Sequence, residues 1–142
     1  MSDGDGYTYH IDEAVLVLPA GFEDRTTHAL SWPGGEKNLG LVIMRRPAPQ
    51  GLDAAVDADV KDMRAKLKGC VVEQDDPGEL GAEPARLVAL RYVRDGVVFI
   101  HRQIAACVDG KLLTMMVAGP AEHREGLETI FDAAVSSFRF RA

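Results

Sequence analysis

Two Asp-Gly pairs set between apolar runs constrain this chain more than anything else in it. Ala85–Val93, Asp95-Gly96, Val97–Val108, Asp109-Gly110 and Leu112–Ala118 follow one another almost directly. Asp-Gly suits a two-residue type I′ turn, in which both central residues need positive φ. Two such turns predict a three-stranded antiparallel meander. Its middle run is paired on both sides, and side chains alternate along a strand. Val98, Ile100, Ile104, Ala106 and Val108 share one face, while Val97, Phe99, His101, Gln103, Ala105 and Cys107 share the other. Antiparallel sheets commonly keep one face wet. Here both faces are mostly apolar, so both need a cover.

The flanking segments supply more strands and two helices. Tyr7–Ile11 and Ala14–Leu18 read as short strands, Pro19–Phe22 as a break, and Thr26–Trp32 as the next strand. Pro33–Glu36 reads as a turn and Leu39–Arg45 as a strand. In Leu52–Lys68 the residues Leu52, Val56, Val60, Met63 and Leu67 form one helical stripe, which predicts that Val60 and Met63 lie buried under the sheet. Its acids lie early, its bases late, and Gly69 suits the position after the cap. Cys70–Gln74 reads as a strand, Asp75–Gly78 as a turn and Glu79–Gly81 as a short continuation. Ala121–Ser137 is the second helix, with Leu127, Ile130, Phe131, Ala134 and Phe138 on one stripe. The order predicts one antiparallel α+β domain over residues 1–142, with 1–6 as a frayed terminus and both helices on one sheet face.

Composition narrows the function classes. The 142 residues carry a net charge of −6 and no basic stripe, which argues against nucleic acid and anionic lipid as partners. The opening Met-Ser-Asp-Gly-Asp-Gly has neither a positive nor an apolar region, so a cytoplasmic protein without a signal peptide is expected. Cys70 and Cys107 have no metal-like spacing and read as buried free thiols in a reducing compartment. His10, His28, His101 and His123 form no HxH or HxxxH pair. They read as structural or surface residues, and no metal and no cofactor is expected. Asp75-Asp76 precedes Pro-Gly and reads as turn chemistry. Ser136-Ser137 lacks the frame of a nucleophile elbow, and Gly34-Gly35 is too short for a phosphate loop. Nothing here supports an enzyme.

Gln103 has two readings. It is either satisfied by a neighbouring strand or it is a polar anchor in an apolar groove, offering two donors and an acceptor. If helices cover the face of Ile100 and Ile104, parity puts Gln103 on the other face, where Val42 and Met44, with Gly40, are candidates to join it. Arg102 points the opposite way, toward an acid that the sequence does not name.

The run Tyr9–Asp24, with Pro19, Phe22 and Asp24, resembles the opening of the DcrB-related domain family, formerly a domain of unknown function. Leu41–Arg45, the helix Leu52–Leu67 followed by Gly69, the pair Arg102-Gln103 and a last helix ending near Phe138 continue the resemblance across nearly the whole chain. It implies a PsbP-like fold with a curved antiparallel sheet. It extends to a cytoplasmic branch, the Eag-type chaperones of type VI secretion effectors. Those are homodimers that hold the N-terminal hydrophobic (transmembrane) segment of an effector, often of the Rhs or PAAR-containing type. The resemblance implies groove roles for Gln103, Val42 and Leu67. Gly40 stands where a Ser is seen, Asp59 where a Gln is seen, and Thr27 and Ala29 where larger aliphatic residues occur. The groove along that strand is therefore expected to be smaller and less apolar. A DcrB-like module for a soluble protein partner, with no role in secretion, is the alternative.

Overall fold

The computed structural model describes residues 6–10, 15–19, 27–32 and 39–140. Of the expected frayed end 1–6 and break Pro19–Phe22, Gly6 and Pro19 instead pair with each other at the ends of two strands; the rest of both, the turn at 33–36, and Phe22 and Asp24 of the family-like opening lie outside the described residues. β1 (Gly6–His10) and β2 (Val15–Pro19) pair antiparallel, Thr8 opposite Val17, in a sheet of their own. The other strands are β3 (Thr27–Trp32), β4 (Leu39–Pro47), β5 (Val71–Leu80), β6 (Glu83–Arg94), β7 (Val97–Val108) and β8 (Lys111–Pro120). They form one six-stranded antiparallel sheet in the order β3-β4-β8-β7-β6-β5. Helix α1 (Leu52–Lys66) links β4 to β5. A 3-10 turn (Ala121–His123) leads from β8 into helix α2 (Arg124–Ser137).

Both Asp-Gly pairs take the predicted conformation: φ is 52° and 76° at Asp95 and Gly96, and 52° and 74° at Asp109 and Gly110. A third turn of this kind joins β5 to β6 at Gly81 and Ala82, with φ of 56° and 70°. The meander therefore has four strands. β5 runs unbroken through Asp75–Gly78, which corrects the expected turn there. It is the outermost strand, and a strand with one row of backbone groups outside the ladder tolerates a proline. Pro77 accordingly sits in register opposite Arg86.

The antiparallel α+β architecture is as expected, but the helices lie on opposite faces of the sheet. Leu127 and Phe131 of α2 pack with Ile100, Ile104, Met115 and Val117. Val56 of α1 packs with Val88, Leu90, Ala105 and Leu112. The physical reason is the two-sided apolarity of the central strands. A helix presents one stripe, so two stripes on one face would leave the other face bare. Val56 is the fully buried anchor of α1, whereas Val60 and Met63 are half-buried, not enclosed as expected. Cys70 and Cys107 are free, half-buried thiols packed against the α1 side.

Arg86 ties α1 to the sheet. Its guanidinium meets Asp75 through Nε and Nη2, both at 2.9 Å, and reaches Asp57 at 2.7 Å and Asp53 at 3.3 Å. Asp75 is thus a structural clamp residue. Arg86 holds its carboxyl below the ordinary value of 3.8, chiefly by the hydrogen bond. A carboxyl with a lowered folded pKa contributes stability above its unfolded value, and that contribution disappears as pH falls through the folded one. Arg86→Leu is expected to cost about 1–3 kcal/mol at pH 7 and distinctly less at pH 3. Urea titrations at both pH values check this; an equal loss at both would rule out the clamp.

Candidate functional site

The expected groove face, with Gln103, Val42 and Met44, is not the helix-free face that parity predicted: it is the α1 face, and the site lies where that helix stops covering the sheet. Cross-strand register builds it. Gln103 of β7 stands opposite Met116 of β8, Ala105 opposite Thr114, and Met44 of β4 opposite Thr114. Partners in register share a face, so Gln103, Met116, Thr114 and Met44 all project beside α1. With Arg46, His101, and Asp59, Asp62 and Met63 of the helix, they line an open cleft of about 210 Å3.

The three buried polar side chains among the described residues all line this cleft: His101, Gln103 and Thr114, with exposures of 8%, 2% and 5%. His101 Nε2 and Gln103 Oε1 are hydrogen-bonded at 2.7 Å. Burial holds the imidazole pKa below its ordinary 6.5, with the Gln103 bond opposing, so the ring is neutral near pH 7. The amide nitrogen of Gln103 is buried without a hydrogen-bond partner. An unpaired buried donor costs on the order of 1–3 kcal/mol. Around it stand three thioethers, Met44, Met63 and Met116, side chains that reshape easily against varied apolar partners. On the rim, Arg46 is ion-paired with Asp59, and Asp62 with Lys66 at 3.0 Å.

The structure brings Gln103 and Met44 together. Val42 and Gly40 are half-buried beside them on the same face, Val42 opposite Met116 and Ala29. Thr27 and Ala29 are exposed and carry that floor to the edge at β3. Leu67, by contrast, caps α1 and packs against the helix's own core, away from the cleft lining. Sequence reading missed Met116, Thr114 and Asp62, and gave Arg46 no role. Alternation along 112–118 groups Thr114 with Met116, but only the β7–β8 register assigns them to the Gln103 face. Arg102 points to the opposite face as expected, and its acid is Glu128 at 3.5 Å.

No three His, Cys, Asp or Glu side chains among the described residues gather where they could hold a metal ion. No helix among them is long and apolar enough to cross a membrane. The cleft offers hydrogen-bond donors and soft apolar surface, which is binding chemistry.

Residues 13–137 match the DcrB family model. The chain belongs to the DcrB family. Solved structures share this DcrB domain's fold. A Pseudomonas aeruginosa protein of unknown function, PA94, is similar at 19% identity and TM-score 0.80, over 98% of this chain and 99% of its own. CyanoP, the PsbP of Synechocystis, is similar at 15% identity and TM-score 0.57, over 96% and 93%. LpqN of Mycobacterium tuberculosis, involved in cell envelope biogenesis, is similar at 10% identity and TM-score 0.63, over 95% and 78%. At such identities the likeness is one of fold, and the fold is PsbP-like. No curated protein matches the chain by sequence.

Proposed function

We propose that this DcrB domain is a cytoplasmic chaperone or adaptor. It covers the N-terminal hydrophobic segment of a type VI secretion effector of the Rhs or PAAR-containing type, and works as a homodimer. The observation that carries this reading is the unpartnered Gln103 amide in a methionine-lined cleft that opens onto the sheet face. An apolar helix in water needs a dry cover with few, well-placed polar contacts. Dimensions support it. The steps from β7 through β8 and β4 to β3 are each about 4.8 Å, which makes a floor roughly 14 Å across; a helix with its side chains is about 10–12 Å wide. The nine residues of β4 extend about 30 Å, close to the hydrophobic length of a membrane span. The small residues Gly40, Ala29 and Ala118 let a helix backbone approach that floor.

The test is co-expression with the N-terminal segment of the effector encoded beside this gene, followed by a pull-down. Val42→Gln puts an amide on a surface that must dry when the segment docks, at roughly ten- to a hundredfold in affinity. In the free protein the new side chain reaches water, so the melting temperature should change little. A melt far below wild type would make Val42 core. Capture of a soluble partner in place of the apolar segment would favour the DcrB-like module unconnected with secretion.

A further inference from the structure

The geometry points to Met44, Met63 and Met116 as a redox-modification site: a hydroperoxide converts their thioethers to sulfoxides, and the cleft then releases its apolar segment. The inference rests on the chaperone reading and goes beyond it by adding the regulation of that site.

The sequence holds five methionines, of which Met1 lies outside the described residues. The other four divide sharply. β8 carries two of them side by side, and alternation sends adjacent residues to opposite faces. Met115 is 1% exposed, sealed in the core under α2. Met116 is half-buried and lines the open cleft on the α1 face. Register sets Met116 opposite Val42 of β4, and Met44 stands two residues further along that strand. Helix α1 adds Met63 to the same lining. Three half-buried thioethers from three elements thus meet in one open cleft, while the fourth is shut away from solvent. Cys70 and Cys107 are half-buried on the same side of the sheet, but neither lines this cleft.

The modification is an oxygen transfer. The sulfur lone pair attacks one peroxide oxygen and the O–O bond breaks. The leaving oxygen takes the proton of the transferred one and departs as water or an alcohol. Sulfur gives up two electrons and the peroxide accepts them. The product is a polar side chain with an acceptor oxygen, and sulfoxide reductases restore the thioether. In the free protein each new oxygen reaches water through the cleft mouth. Under a docked apolar segment it must dry, and an unpaired buried acceptor costs roughly ten- to a hundredfold in affinity. With three such oxygens in the lining, binding should fall about a hundredfold or more.

The folded full-length protein is treated with hydrogen peroxide, and a peptide map reads each sulfur. Met44, Met63 and Met116 should convert several-fold faster than Met115, and in urea the four rates should converge. Binding is read with a lysine-flanked Leu/Ala peptide of about twenty residues, free of Met and Cys. Untreated protein should bind it. Oxidised protein should bind about a hundredfold more weakly or worse, while a thermal melt shows it still folded. Dithiothreitol alone should leave that loss in place, because it reduces disulfides and sulfenic acids but not sulfoxides. Adding the two methionine sulfoxide reductases, one for each sulfoxide epimer, should restore binding. Four results would each overturn the inference and leave the chaperone reading standing: Met115 reacting as fast as Met116 in the folded protein, unchanged binding after full conversion, recovery with dithiothreitol alone, or unfolding on oxidation. If the untreated protein does not bind the peptide, the chaperone reading itself fails.

Discussion

Phe131→Ala is expected to destabilise the protein by about 3–5 kcal/mol, as removal of a buried ring does. Phe131 is 2% exposed and sits where α2 meets Ile104, Met115 and Val117. Its loss opens a cavity between helix and sheet that neighbouring β-strands, pinned by their ladders, cannot close. It also removes the ring beneath the Arg102 guanidinium, 5.4 Å from the centroid, leaving a half-buried cation with Glu128 alone. Because α2 lies on the face opposite the cleft, the loss should appear in a denaturant titration and not in the affinity, per folded molecule, for the apolar segment proposed above. A shift below 1 kcal/mol would mean that α2 does not close this core. A drop in affinity at full folding would mean that the two faces are coupled.

What was legible in the sequence follows how local each signal is. Asp95-Gly96 and Asp109-Gly110 carry their turn conformation in two adjacent residues, so the meander was readable. Gly81-Ala82 makes the same kind of turn, yet Ala82 at φ 70° is no sequence signal, since only the surrounding strands hold an alanine there. Asp75–Gly78 has the composition of a turn and is a strand, because its position at the sheet edge is a tertiary fact. Alternation in β7 separated Gln103 from Ile104 correctly. It gave no information on which helix covers which face, and that is why both helices were expected together. The cleft shows the same division. His101 and Gln103 share a parity visible in the chain, while Thr114 and Met116 join them only through register. Arg46 meets Asp59 across the β4–α1 connection, a contact no periodicity encodes.

Gly81→Val is expected to cost about 2–5 kcal/mol, from two sources that can be separated. Gly81 has φ +56°, a region that costs a β-branched residue on the order of 1–3 kcal/mol. A Cβ there would also lie 2.9 Å from Phe140 Cδ2 and 3.0 Å from Phe138 Cδ1, and overpacking of this kind costs typically 1–3 kcal/mol. The two rings are locked edge-to-face with centroids 4.9 Å apart, so neither yields without giving up the other. Next to the turn, Leu80 is fully buried in the α2-side core, and displacing the rings would uncover it. The turn between β5 and β6 is thus where the end of the described chain is fastened to the sheet. A double-mutant cycle with Phe140→Ala divides the cost. In that background Gly81→Val should retain the backbone strain and lose most of the crowding, so its cost should fall by about 1 kcal/mol or more. An unchanged cost would assign the whole effect to φ. A cost under 0.5 kcal/mol in the wild-type background would mean that Phe138 and Phe140 do not pack on Gly81 at all.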